Sequence, residues 1–317
     1  MEFWKRTRLA VYGVLACLAI AVPTVYWRSE AILGHDFSIS DAELVLAIEP
    51  GPDRVGRGQH IASAIAQCQF CHGGDLSGSP VIDDPWLGRL FTPNLTRGEG
   101  GIGSAYSEAD WVRAIRFGVR RNGRSLLLQP SEHLSAMSDL DLAAVISYMS
   151  QLPAVDSHQP STRFGPLIRF GMTVGLTPDL LSAPMVDRSR KSPRDVSAER
   201  TVDYGAYLTD IGNCRFCHRA DLSGGLHPLA QPGEPVPPDL RRNGSMAGWS
   251  RKEFARAMRE GWTPDGRRLD TEFMPWPAFA GLSDLEVNAL WLYLRSTEGG
   301  VPLKRRSTEA LSDGSMR

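Results

Sequence analysis

Two short runs hold the residues best able to do chemistry: Cys68-Gln69-Phe70-Cys71-His72 and Cys214-Arg215-Phe216-Cys217-His218. In each, two thiols stand about one helical turn apart and a histidine follows directly. Cysteines this close in sequence are poor disulfide partners for building a fold. The chain has five cysteines, the fifth being Cys17 in an apolar N-terminal run, and an odd count also argues against a disulfide framework. CxxCH is the attachment sequence of c-type haem. Each thiol adds to one vinyl group of the porphyrin, and the adjacent histidine faces the iron as its proximal ligand. The expectation is two covalently bound haem c groups, anchored by Cys68, Cys71, Cys214 and Cys217 and ligated by His72 and His218. A lone CxxC also suits a redox dithiol or half a zinc site, and two such knuckles could share one zinc. The histidine that follows both pairs, and the repeat in which each pair sits, are unexplained by zinc.

An electron-transfer haem commonly takes methionine sulfur as its second axial ligand, which raises its reduction potential. Met274-Pro275 supplies one in the second half, on a loop that proline holds extended. The aligned position in the first half is Gln129-Pro130, without methionine. The distal ligand there is left among Gln129, His133 and Met137, or the position is open; Met137 aligns with Leu282 and reads as core, and His133 reads as a surface loop histidine.

The elements that must position these residues are duplicated, and self-similarity at a fixed offset defines the architecture. Asp75-Leu76-Ser77-Gly78 follows the first motif as Asp221-Leu222-Ser223-Gly224 follows the second. Ser107 opens an amphipathic stretch ending at Gly118, and Ser250 opens one ending at Gly261, each serine followed three residues later by an acid as in a capping box. Ser138 and Ser283 open a last apolar-striped stretch in each half. Each half therefore reads as a helix entering the cysteine pair, a middle helix and a C-terminal helix. The joining segments are too long for a compact domain unless a cofactor fills the space they surround.

Leu9 to Trp27 carries no charge and approaches the ~20 residues a helix needs to cross a bilayer. Lys5, Arg6 and Arg8 precede it, so the positive-inside bias puts residues 1-8 in the cytoplasm and everything after 27 outside. A cleaved signal peptide ending near Ala19-Ile20-Ala21, or acylation at Cys17, are the competing readings; all three export the bulk of the chain. The 35 basic and 36 acidic residues balance, which excludes a nucleic-acid binder. The apolar stretch Phe164 to Val174 reads as a helix docked on the protein or touching the membrane surface.

Residues 56-299 resemble the class I cytochrome c superfamily, specifically the membrane-anchored di- and tri-haem cytochrome subunits that accompany bacterial alcohol and aldehyde dehydrogenases. The resemblance rests on RGQHIA before CQFCH, Pro93-Asn94-Leu95-Thr96, MSDLDLAAVISYMSQL, TPDGRRLDTEFMPW and LSDLEVNALWLYLRS. It implies a mainly α fold, with an N-terminal transmembrane helix followed by two tandem class I cytochrome c domains of short helices and long loops. The boundaries are 1-8 cytoplasmic, 9-27 anchor, 28-55 neck, 56-152 first domain, 153-198 linker, 199-299 second domain and 300-317 polar tail. It also implies a single-pass inner-membrane protein with its haem domains facing the periplasm. Such a chain would do no bond-making chemistry itself, taking electrons from a dehydrogenase and giving them to a cytochrome or oxidase, within a membrane complex. The family carries methionine where Gln129 stands. The rival function, a di-haem peroxidase or gas-binding sensor with an open first haem, rests on that absence, with His133 or Glu132 as its acid-base groups.

Overall fold

The computed structural model describes residues 2-46, 48-226 and 233-297. The tail read over 300-317 lies outside the described residues. Helix α1 (Glu2–Leu33) contains the apolar run, and Phe3–Leu33 is long and apolar enough to cross a membrane. The helix outlasts the anchor expected over 9-27 because no breaker intervenes before Gly34. Its last two turns also gain partners: Arg169 donates to Ser29 Oγ (2.8 Å) and pairs with Glu30 (2.7 Å).

Beyond α1 the chain is mainly helical, and the repeat is visible in the backbone. The first half has α3 (Val55–His60) running into a π-helical segment (Ile61–Ile65), α4 (Cys68–His72), α5 (Glu108–Phe117), α6 (Ser131–Leu134) and α7 (Asp139–Met149), preceded by the short α2 (Asp41–Leu44). Between its strands β1 (Pro80–Asp84) and β2 (Gly88–Phe91) and the second half lie β3 (Arg163–Phe164) and α8 (Pro166–Val174). The second half has α9 (Val202–Ile211), α10 (Cys214–His218), α11 (Arg251–Glu260), α12 (Trp276–Phe279) and α13 (Asp284–Ser296).

The expected caps form. Ser107 and Ser250 close capping boxes with Asp110 and Glu253, and the helices end at Gly118 (φ +65°) and Gly261 (φ +70°), the left-handed conformation that glycine adopts without strain. In each half the entering helix crosses the C-terminal helix at a glycine. A Cβ on Gly58 would run into the Ala144 carbonyl, and one on Gly205 into the Ala289 carbonyl, so only glycine lets these backbones approach. Measured from those glycines, Cys68 follows ten residues on and Cys214 nine. The π segment absorbs the extra residue, with Ala66 N–H bonded to Ile61 O at 2.7 Å, and both halves still deliver their cysteines to the same place.

Buried residues of both halves form one hydrophobic cluster, including Ile61, Leu142 and Met149 from the first half and Tyr204, Leu208 and Val287 from the second. The packing is reciprocal: α6 rests on α9, and α12 rests on the π segment. Polar bonds follow the same exchange. His60 Nε2 lies 2.9 Å from both carboxylate oxygens of Glu286, while Tyr207 donates to Asp141 at 2.6 Å. His60 and Tyr207 stand two residues after Gly58 and Gly205, and Asp141 and Glu286 three after the caps of α7 and α13.

Two regions depart from the irregular loops expected. Antiparallel strands β1, β2 and β3 form a small sheet in the first half. The segment 153-198 contains α8, which makes a second apolar cluster in which Phe164, Met172, Leu180 and Leu181 pack with Ile32, Leu33, Leu127 and Ile168.

Candidate functional site

Each cysteine-histidine motif is itself a helical turn entered through a left-handed residue, Gln67 (φ +54°) in the first half and Asn213 (φ +57°) in the second. Helix geometry then places the two cysteines three residues apart on one side. All four thiols are outside disulfides. Burial pushes the Cys68 and Cys214 thiols up to about 12, and it raises Cys71 and Cys217 as well. The thiols are therefore protonated at neutral pH. Among the described residues no group of three or more His, Cys, Asp or Glu side chains is placed to hold a metal ion, so the two pairs do not gather into a shared zinc site.

The histidines are held alike. His72 Nδ1 lies 3.1 Å from Pro93 O, and His218 Nδ1 lies 2.9 Å from Pro238 O. A carbonyl only accepts, so the proton belongs on Nδ1 and the Nε2 lone pair is left for a metal. Burial lowers the pKa of both imidazoles, only partly opposed by those carbonyl bonds, which favours the neutral ligand form. The loops bearing the two carbonyls match. Leu95 N–H bonds Leu76 O (2.8 Å) as Leu240 N–H bonds Leu222 O (2.9 Å). Asn94 Oδ1 accepts from Thr96 N–H as Asp239 Oδ1 accepts from Arg241 N–H, both at 2.9 Å.

The turns expected to bear the second axial ligands coincide as well. Pro130 (φ −78°, ψ 50°) and Pro275 (φ −76°, ψ 50°) have the same backbone, and Gln129 and Met274 precede them. Gln129 O accepts from Ser131 N–H at 2.8 Å, and Met274 O from Trp276 N–H at 2.7 Å. Met274 is half-buried against the main core. Met137 is 1% exposed and Leu282 4%, so the core position expected for Met137 is where it lies. His133 departs from its expected place on the surface. It is 5% exposed, because proline starts a helical turn there and carries the ring inward, with Nε2 3.7 Å from Glu132.

One group escaped the sequence reading. Arg215, inside the second motif, is buried and donates to Asp210 (2.8 Å), Ala220 O and Tyr293 Oη, while Arg190 holds the other Asp210 oxygen at 2.8 Å. The corresponding Gln69 has its Oε1 buried without a partner. A charged residue where the first motif has an amide was the only sequence clue.

No family model matches the chain. It is 24% identical over 285 residues to the fructose dehydrogenase cytochrome subunit of Gluconobacter japonicus, covering 82% of this chain and 55% of that one. It is 25% identical over 264 residues to the gluconate 2-dehydrogenase cytochrome c subunit of Pantoea cypripedii (74% and 55%). It is 26% identical over 261 residues to the cytochrome c subunit of a quinone alcohol dehydrogenase of Gluconobacter oxydans (73% and 50%). Its relatives are cytochrome c subunits of dehydrogenase complexes. The chain spans about half the length of these three relatives. The resemblance drawn from its motifs is the one these relatives bear out, and an electron-transfer role follows from it.

Proposed function

We propose that this chain is a membrane-anchored di-haem c-type cytochrome that carries electrons from a dehydrogenase to a downstream cytochrome or oxidase on the outer face of the cytoplasmic membrane. What carries the reading is the duplicated set of two unpaired thiols and one imidazole, each imidazole tied through Nδ1 to a proline carbonyl with Nε2 left available. Haem supplies one-electron redox chemistry when bound. The chain's residues hold it, orient its ligands and keep water away. Cys68 and Cys71 anchor one group and Cys214 and Cys217 the other. His72 and His218 are the proximal ligands, and Met274 is the distal ligand of the second site.

In the first site Gln129 occupies the matching turn, His133 is the buried nitrogen base beside it, and Met137 serves the core. A nitrogen, weak oxygen or vacant sixth position sets a lower potential than methionine sulfur, so electrons run from the first half to the second. The reciprocal packing of the halves keeps the sites adjacent.

A second reading, a peroxidase or gas sensor at the first site, is favoured by one observation: a buried histidine with a carboxylate at 3.7 Å stands beside the Gln129 turn. Absorption and EPR spectra of the purified protein, with carbon monoxide added to the reduced form, separate the two. The carrier is expected to show two c-type haems per chain, both low-spin and indifferent to carbon monoxide. One high-spin haem that binds carbon monoxide and turns over peroxide contradicts it.

A further inference from the structure

Helix α8 has two unlike faces. One docks on the outer end of α1: Thr173 Oγ1 lies 3.4 Å from Val25 O, Arg169 Nη1 donates to Ser29 Oγ at 2.8 Å, and its guanidinium lies over the Tyr26 ring, 4.7 Å from the centroid. These contacts fix the helix's direction. Moving from 169 to 173 along α8 moves from 29 to 25 along α1, so the helices are antiparallel and the C-terminal end of α8 points back along the apolar run. Val25 belongs to the uncharged stretch Leu9 to Trp27, which places Val174 and Leu176 level with that stretch.

The other face is apolar and bare. Leu167, Phe170 and Val174 follow at helical spacing and are 54%, 50% and 51% exposed, and Leu176, just past the Gly175 cap, is 60% exposed. Trp86, whose carbonyl accepts from Leu167 N–H at 3.2 Å, is 65% exposed beside them. The helix has one charged residue, Arg169, and its charge is turned inward to Glu30 (2.7 Å). The Thr173 hydroxyl is likewise satisfied by Arg169 O at 2.8 Å. A face stripped of charge, with polar groups bonded internally, suits hydrocarbon rather than water.

We propose that α8 and the turn after it dip into the lipid at the outer membrane interface, a second membrane contact that fixes the haem-bearing halves in one orientation. The proposal rests on the reading of α1 as a membrane anchor, since α8 takes its depth from that helix. A surface amphipathic helix buries its apolar face about 5–10 Å below the headgroups, one to two turns, which is what the register with Val25 gives.

The test uses the purified full-length chain, Cys17→Ala, reconstituted alone into phosphatidylethanolamine/phosphatidylglycerol vesicles. Single cysteines replace Val174, Leu176, Leu15 in the middle of α1, and the exposed Lys252 of α11; circular dichroism confirms each fold. Alkylation by N-ethylmaleimide needs the thiolate, which lipid suppresses. Val174→Cys and Leu176→Cys are expected to react at least tenfold more slowly than Lys252→Cys, as Leu15→Cys does, with all four equal once unfolded in SDS. Protection at Leu15 with full reactivity at 174 and 176 overturns the proposal and leaves the anchor standing. Full reactivity at all sites overturns both. Because no other protein is present, protection seen only in native membranes and absent in the vesicles means a partner protein covers this face, and also overturns it.

Discussion

In the first half the turn before the last helix presents Gln129, and in the second an almost identical backbone presents Met274. The same division recurs one motif earlier, where Gln69 leaves a buried oxygen without a partner and Arg215 ties its loop to Asp210 and Tyr293. Caps, crossing glycines and histidine-carbonyl bonds agree between the halves, whereas the side chains facing the proposed distal positions do not. Duplication has kept what holds a haem and varied what sets its potential. The second half is the better braced and the one with sulfur; the first carries the π segment and the sheet.

The comparison can be broken most forcefully by removing one motif at a time. Cys214→Ala with Cys217→Ala, and Cys68→Ala with Cys71→Ala, are each expected to leave one haem per chain in a pyridine haemochrome assay; two haems retained by either variant would refute covalent attachment there. Next come the crossing glycines. Gly58→Ala and Gly205→Ala each force a methyl into a backbone carbonyl and are expected to cost about 3 kcal/mol in denaturant unfolding, equally in both halves. A mild effect at only one would show that the crossings are not equivalent.

The interface between the halves adds a dependence on acid. Burial alone would raise the Glu286 carboxyl, but its bond to His60, the Ser283 backbone bond and the charge of His60 outweigh that and hold it at about 2 rather than 4.5. A depressed carboxylate stabilises the fold fully above its unfolded pKa and loses that contribution as pH falls through its folded one. Stability should therefore fall between about pH 4.5 and 2, by on the order of 3 kcal/mol, and Glu286→Gln should flatten that fall. Tyr207→Phe, which removes the reciprocal bond to Asp141, is the mildest change, at about 1 kcal/mol with no new acid dependence.

Much of this was legible in the sequence because the relevant signals are local. Serine caps, terminal glycines and CxxCH spacing each depend on a few neighbouring residues, and α5, α7, α11 and α13 begin and end where those signals put them. What escaped depends on residues far apart. The burial of His133, the Arg215 network and the exchange of His60 and Tyr207 between halves all need the tertiary packing to exist first. The β1-β2 hairpin was missed because Asp84-Pro85-Trp86-Leu87 has no Asn-Gly signal, and its turn is closed by Asp84 Oδ1 accepting from Trp86 and Leu87 N–H, both at 2.8 Å. The π segment appears only when the two crossing glycines are aligned.

The claim that Met274 gives the second half its higher potential is tested most directly by a potentiometric titration, followed by absorption and EPR, of the wild type and of Met274→Gln. The wild type is expected to show two separate one-electron steps. In the variant the upper step should move down by on the order of 0.1 V, a fraction of the ~0.8 V that axial ligands span, so that the two steps converge. An upper step unchanged by the substitution, or one that disappears with Cys68 and Cys71 rather than with Cys214 and Cys217, would contradict the account and reverse the direction of electron flow.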